Sequence, residues 1–103
     1  MFFFKSSSAV NENLKAEIEA NQGVILDVRT AGERMEGTVK GAIGADWLSG
    51  EFQNKAASWD KSAHYYLYCR SGNRSGAATD FLRARGFKNV TNIGAYHSVA
   101  NLF

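Results

Sequence analysis

The chain has 103 residues, of which 45% are hydrophobic and 21% are charged, and its formal net charge is +2 at pH 7. This length accommodates one domain with a modest core, so we expect a single domain over residues 1–103. No run of residues approaches the roughly 18 apolar side chains that a membrane-spanning helix needs. The single cysteine excludes an internal disulfide and a metal centre built from several thiolates. Gly72 and Gly76 do not form a phosphate-loop pattern with a following Lys-Ser or Lys-Thr, and no metal-site pattern is found, so we expect neither a metal nor a cofactor.

The N-terminal segment Met1–Lys5 is apolar, but it is too short for the hydrophobic core of a signal peptide. We expect a cytoplasmic protein, or a periplasmic one if a leader has been removed.

The first half of the chain predicts helices that alternate with strands. Helix formers with Leu14 and Ile18 on one face predict a helix over residues 11–20. The uninterrupted aliphatic run over 24–28 predicts a strand that is buried on both faces. The further predicted elements are a short helix over 31–36, a weak strand over 42–45 and a helix over 49–58.

The second half continues the alternation. The predicted elements are a strand over 65–68, a helix over 75–85, a strand over 87–93, a turn at 94–96 and a short helix over 97–103. Strands that alternate with helices predict an α/β fold with a parallel sheet. Trp47 and Trp59 are expected to pack in or beside the core, as aromatic side chains usually do.

The most informative segment is Cys69–Ser75, which lies between a predicted strand and a predicted helix. Open α/β sheets bind ligands at the carboxyl ends of their strands. The backbone N–H groups of residues 70–75 are expected to converge on the Cys69 sulfur, aided by the positive end of the helix dipole. Gly72 permits a tight loop, and Ser75 suits the helix N-cap. These donors favour the thiolate and predict a pKa well below about 8.5, hence a nucleophile that needs no partner histidine.

Two arginines, Arg70 and Arg74, add positive charge to this loop. Residues 62–103 carry five basic side chains and a single acidic one, Asp80. The basic residues are few and do not form a run, so they favour a small anionic substrate over nucleic acid.

These segments together resemble the rhodanese family of sulfurtransferases, specifically its single-domain members. The resemblance extends from about Asn11 to Ile93. The segments that carry it are Leu26–Arg29, Glu33–Gly37, Gly41–Ile43, Cys69–Ser75 and Arg85–Val90. It implies a rhodanese-like parallel sheet with helices on both faces.

The resemblance also implies a two-step reaction. The Cys69 thiolate attacks the outer sulfur of a donor such as thiosulfate, releases sulfite and keeps a persulfide. Cyanide, a thiol or a protein sulfur acceptor then removes the terminal sulfur. Independently of the resemblance, the charge pattern and the lack of a long apolar run predict no binding to nucleic acid or to a membrane. The residues implied in binding the substrate are Arg70, Ser71, Gly72, Asn73, Arg74 and Ser75. Asp27 and Arg29 are implied as supporting residues, Asp27 as an acceptor of loop N–H groups and Arg29 in an ion pair with Glu33 or a neighbouring carboxylate.

The chain departs from the family pattern at two places. Thr38 stands where members often have His, and Gly94-Ala95-Tyr96 stands where they often have Gly-Gly followed by Trp. His64 and His97 match no motif position and are expected to be surface or packing residues.

Three alternatives remain open at this stage. One is a cysteine-loop phosphatase or arsenate reductase, whose loop reads Cys-X5-Arg, one residue longer than the spacing from Cys69 to Arg74. The second is a non-catalytic rhodanese-like binding module, although inactive members usually lack the cysteine. The third is a persulfide carrier that passes sulfur to a partner protein, which differs from the main reading only in its acceptor.

Overall fold

A computed structural model of the protein describes residues 7–103, with side chains from Asn11 onward, so the predicted role of Met1–Lys5 lies outside the described residues. The elements are α1 (Ser7–Ala20), β1 (Val24–Asp27), α2 (Ala31–Met35), β2 (Ile43–Gly44), α3 (Glu51–Ala56), β3 (His64–Cys69), α4 (Asn73–Ala84), β4 (Asn89–Ala95) and α5 (Tyr96–Val99).

The strands form one sheet in the order β2-β1-β3-β4, and every neighbouring pair is parallel. Leu26 of β1 stands opposite Leu67 of β3, and Asp27 stands opposite Tyr68. Since the strands are parallel, their carboxyl ends meet at one edge of the sheet, where Asp27 and Cys69 both lie. The predicted α/β class with a parallel sheet is confirmed.

The central strand β3 separates two hydrophobic clusters. Tyr65, Leu67 and Cys69 point into one cluster, which α3 and α4 cover. Tyr66 and Tyr68 point into the other, which contains residues of α1 and the C-terminal segment. Both faces of the sheet are therefore covered by helices, as predicted, and this explains why β1 and β3 are nearly continuous apolar runs.

Aromatic rings fill much of the first cluster. Phe52 is fully buried and meets Trp47 and Trp59 edge to face, at centroid distances of 5.5 and 5.3 Å. Each such pair adds about 0.5–1.5 kcal/mol to the burial of apolar area. The two tryptophans pack against the core, as the sequence predicts.

Two boundaries near the cysteine differ from the prediction. Helix α4 begins at Asn73 with Gly72 as its N-cap, so the assignment of Ser75 as the N-cap is wrong. Ser75 lies inside the first turn instead, because Gly72 adopts the left-handed conformation (φ +102°) that brings the chain into the helix sooner.

Strand β4 also continues into the predicted turn and ends at Ala95. Asn92 pairs with Leu67 but Gly94 pairs with Tyr68, so Ile93 forms a β-bulge. Gly94 has a φ of +94°, and beyond it Ala95 still pairs with Cys69. The bulge holds β4 against the cysteine end of β3. Over the described range no helix combines the length and apolar character required to cross a membrane.

Candidate active site

Cys69 is the last residue of β3, and its side chain is fully buried at the carboxyl edge of the sheet. The backbone N–H of Gly72 donates a hydrogen bond to its Sγ atom over 3.0 Å. This contact depends on the left-handed φ of Gly72, a conformation that side chains disfavour. The loop therefore curls back onto the sulfur of the residue that precedes it.

Burial raises the pKa of the Cys69 thiol, but hydrogen bonds from the loop outweigh burial and leave the pKa below its ordinary value. These bonds come from the Ser75 hydroxyl and from the backbone N–H groups of Ser75, Gly72 and Ser71. All of them are uncharged donors that stabilise negative charge on sulfur. The loop therefore favours the thiolate form of Cys69 without a histidine among the donors.

Ser75 and Asn92 complete the surroundings of the sulfur. The Ser75 hydroxyl is buried and lies 3.4 Å from Cys69 Sγ and 2.7 Å from Asn92 Oδ1. Asn92 donates from Nδ2 to the Gly72 carbonyl (3.1 Å) and accepts at Oδ1 from the Gly94 N–H (3.0 Å). Asn92 is not among the site residues predicted from the sequence. Its position directly before the bulge, beside β3, would have indicated it, but the bulge itself was not predicted.

Asp27 is the last residue of the neighbouring strand β1. It is fully buried and accepts hydrogen bonds from the backbone and guanidinium of Arg29 and from the hydroxyls of Thr38 and Tyr68. Burial raises the pKa of Asp27, but these donors outweigh it and hold the pKa below its usual value. The expectation that Asp27 accepts from the N–H groups of the cysteine loop is wrong, because Arg29, Thr38 and Tyr68 occupy its oxygens. Arg29 forms the predicted ion pair with a neighbouring carboxylate, that of Asp27, at 2.8 Å.

Arg29 and two tyrosines form a stack beside this pair. The guanidinium lies 4.1 Å from the ring centroid of Tyr96, and Tyr96 stacks on Tyr68 with a centroid distance of 5.8 Å. Burial and the hydrogen bond to Asp27 raise the pKa of Tyr68 to about 12. Tyr68 therefore stays a hydrogen-bond donor throughout the physiological range.

Arg74 is anchored to α2. Its two terminal nitrogens bond the two oxygens of Glu33 over 2.7 and 2.9 Å, which is a bidentate pair. Glu33 also closes the capping box of α2 with Thr30. The hydrogen bonds from Arg74, ahead of those from Thr30, lower the pKa of Glu33 to about 2. A substrate-binding role for Arg74 stays a prediction, since Glu33 already engages its guanidinium.

Arg70 differs from Arg74. It is exposed, and among the described residues no carboxylate lies within salt-bridge distance of it. It borders a cleft of about 410 Å³ next to the loop. The cleft residues are Arg29, Glu33, Glu36, Arg70, Tyr96 and His97.

The remaining predicted residues are placed as follows. Ser71 and Asn73 are exposed, one in the loop and the other at the first position of α4. His64 begins β3, at the opposite end from Cys69, and His97 is exposed on α5. A larger cavity of about 620 Å³ lies between α1 and the C-terminal segment, but no residue of the cysteine loop lines it. Within residues 7–103, no group of three or more His, Cys, Asp or Glu side chains is arranged to hold a metal ion.

Known proteins resemble this chain both in sequence and in fold. The sequence model of the family described as Rhodanese-like domain matches residues 10–100. "Putative sulfurtransferase YtwF" of Bacillus subtilis (strain 168) is 36% identical over 78 residues, which are 75% of this chain and 74% of that protein. "Putative sulfur carrier protein YrkF" of the same organism is 29% identical over 83 residues, or 80% of this chain, but the match spans only 44% of YrkF.

Among solved structures, the one titled "rhodanese with anions from E. coli" superposes with a TM-score of 0.67 at 28% identity. The superposition covers 77% of this chain and 93% of that one. The likeness therefore extends from local sequence to the arrangement of the sheet and its helices.

Proposed function

The chain belongs to the Rhodanese-like domain family, and from that premise we propose that it is a sulfurtransferase that takes a sulfane sulfur from thiosulfate onto Cys69. The relationship to a described sulfurtransferase at 36% identity supports the general activity. Thiosulfate as donor is the narrower part of the proposal. It is supported by the exposed Arg70 beside the loop, because a guanidinium attracts and orients an oxyanion.

The reaction follows from the atoms available. The Cys69 thiolate attacks the outer sulfur of thiosulfate, a new S–S bond forms, and the bond to the sulfonyl sulfur breaks with its electron pair on departing sulfite. The acceptor, cyanide or a thiolate, then attacks the terminal sulfur, and the electron pair of the broken S–S bond returns to Cys69. This is covalent catalysis, and the loop N–H groups stabilise the anionic sulfur at the start and the end of the cycle.

One observation carries the proposal: the Gly72 N–H lies 3.0 Å from the sulfur itself. In a phosphatase the loop donors must serve oxygens that lie well beyond the sulfur, on a bound phosphate. Here the Gly72 N–H and the Ser75 hydroxyl contact the sulfur atom itself, which suits a reaction whose charge resides on sulfur. The spacing from Cys69 to Arg74, one residue shorter than Cys-X5-Arg, favours sulfur transfer over phosphoryl transfer.

The acceptor class is open between small molecules and proteins. The relationship to a protein whose name describes a sulfur carrier supports a protein thiol as one acceptor. A persulfide passed to a partner protein uses the same first step, so the first step is the one to test.

The test is the intact mass of the purified protein after incubation with thiosulfate. We expect a gain of one sulfur atom, and its loss with release of thiocyanate when cyanide is added. Because the chain has one cysteine, Cys69→Ser is the matched control and should gain nothing. The non-catalytic binding module would be favoured instead if thiosulfate left the mass of the wild type unchanged and if other persulfide donors changed the masses of wild type and Cys69→Ser to the same extent.

A further inference from the structure

The Ser75 hydroxyl has one proton and more than one acceptor within reach. Asn92 Oδ1 lies at 2.7 Å and Cys69 Sγ at 3.4 Å, with the Gly72 carbonyl at 3.2 Å. A hydroxyl donates once and accepts through its lone pairs. When Cys69 carries its proton, the shortest contact directs the hydroxyl proton of Ser75 to Asn92, and the Ser75 oxygen then faces the sulfur as an acceptor.

Asn92 is fixed for this role by contacts on both ends of its amide. The Gly94 N–H donates to Oδ1 and Nδ2 donates to the Gly72 carbonyl, which sets the side chain with its oxygen toward Ser75. The bulge at Ile93 brings the Gly94 N–H back toward Asn92, since Gly94 occupies the register position opposite Tyr68. β4 thus contributes to the cysteine site although it bears no reacting group.

We propose that Asn92 is a positioning residue that acts on Cys69 through the hydroxyl of Ser75. This inference rests on the proposed function for its place in catalysis. With a protonated thiol, Cys69 donates to Ser75 and Ser75 donates to Asn92. With a thiolate, the Ser75 hydroxyl turns from Asn92 to the sulfur.

The persulfide form of Cys69 leaves Ser75 in the same arrangement as the thiol form does. Once sulfur is transferred, the negative charge moves to the terminal sulfur, and the inner sulfur no longer needs the hydroxyl. Ser75 then returns to Asn92. Asn92 therefore stabilises the thiol and the persulfide relative to the free thiolate.

The charged groups around Cys69 do not change in this scheme. Asp27 and Arg29 lie at the end of β1, Arg70 lies in the loop, and Arg74 lies on α4, where it interacts electrostatically with Cys69. β4 (Asn89–Ala95) contains no charged side chain. A substitution at Asn92 thus tests the hydrogen-bond exchange without altering the charges.

The experiment is titration of the single cysteine by ultraviolet thiolate absorbance, with Cys69→Ser as the blank. Asn92→Ala should lower the Cys69 pKa by about 0.5 to 1, the size expected when one competing neutral acceptor is removed. Ser75→Ala should raise the pKa, because the thiolate loses a donor. In the Ser75→Ala background, Asn92→Ala should cause no further change.

Asn89→Ala is the matched control, since Asn89 lies on the same strand but bonds the Ser62 carbonyl away from the loop. An unchanged or raised pKa in Asn92→Ala would overturn the inference. An equal shift with and without the Ser75 hydroxyl would also overturn it, because Asn92 would then act through the Gly72 carbonyl. The titration needs no sulfur donor, so its outcome is separate from that of the mass experiment.

Discussion

The inner and outer faces of the loop Cys69–Ser75 are built from different chemistry. The inner face turns uncharged donors, backbone N–H groups and the Ser75 hydroxyl, onto a buried sulfur. The outer face carries two arginines, of which Arg74 is paired with Glu33 and Arg70 is exposed beside the cleft. Under the proposed function, activation of the nucleophile and attraction of an anion would therefore fall to separate groups.

The difference has a physical reason. A guanidinium turned into the apolar interior would lose hydration worth several kcal/mol, which its partner seldom returns in full. Backbone N–H groups incur a far smaller desolvation cost and are fixed by the fold before the substrate arrives. The arginine positions alone, therefore, do not reveal which guanidinium is available to a ligand.

The strongest test of the inner face is Gly72→Ala. The left-handed φ of +102° would cost the alanine variant about 1–3 kcal/mol, and relief of that strain would turn the N–H away from Cys69. The added Cβ would lie 3.6 Å from Gly94 Cα, an ordinary contact, so crowding is not the cause. We expect kcat/KM for thiosulfate to fall about 100-fold, as when one oxyanion donor is lost.

Gly50→Ala is the matched control for that strain. Gly50 has a φ of +89° with no other atom near its Cβ position, and it caps α3. It should lose comparable stability in a thermal melt while its kcat/KM stays near the wild-type value. Equal losses of activity in both variants would mean that Gly72 matters only for folding.

The outer face is tested by Arg70→Ala. We expect KM for thiosulfate to rise about tenfold with little change in melting temperature, because removal of one charge-assisted contact costs about 1.5–3 kcal/mol at most and this side chain is exposed. Arg85→Ala removes the same charge from the far end of α4, where Arg85 lies over the Phe81 ring. An equal rise of KM in the two variants would assign the effect to net charge instead of to Arg70.

The smallest effect is expected for Glu33→Gln, which releases Arg74. The pKa of Glu33 is lowered from 4.5 to about 2, so its stabilising contribution is complete above about pH 4.5 and disappears as the pH falls through about 2. The shift sets a ceiling of about 3 kcal/mol, and solvent screening reduces the expected loss at pH 7 to about 1 kcal/mol.

Urea unfolding of wild type and Glu33→Gln at several pH values measures this loss. The difference in unfolding free energy should shrink from pH 5 toward pH 2, and KM should stay within a factor of two. Glu36→Gln, on an exposed neighbouring carboxylate, should show neither change. A large fall in KM for Glu33→Gln would show instead that freed Arg74 binds the donor.

Much of the architecture was predictable from the sequence, because strands that are buried on both faces, such as β1 and β3, consist of nearly continuous apolar residues. The apolar runs over 24–28 and 65–68, with helical patterns between them, predict the parallel sheet that the structure has. Phe52 and Ala56, spaced four apart in the helix predicted over 49–58, both lie buried on the inward side of α3. Local patterns of this kind indicate that a helix or strand is present, whereas its exact first and last residues depend on tertiary contacts.

The site was predictable only in part. The end of a strand followed by glycine and a helix indicates where Cys69 lies, but local preference predicts Ser75 as the helix N-cap. The left-handed turn at Gly72 starts α4 at Asn73 instead, and this leaves the Ser75 hydroxyl to contact Cys69 and Asn92. Asn92 depends on a bulge between β3 and β4, a pairing between segments 20 or more residues apart that one strand's sequence does not record.

The complete burial of Cys69 has a consequence for the lifetime of the protein in an oxidising environment. Sulfur transfer adds a single atom to Sγ, whereas irreversible oxidation to the sulfinic or sulfonic acid adds several oxygen atoms to it. Cys69 is fully buried and the Gly72 nitrogen lies 3.0 Å from its Sγ, which leaves less room for several added atoms than for one. A low pKa usually makes a cysteine vulnerable to irreversible oxidation, and here the enclosure that lowers the pKa also disfavours the crowded oxidation products.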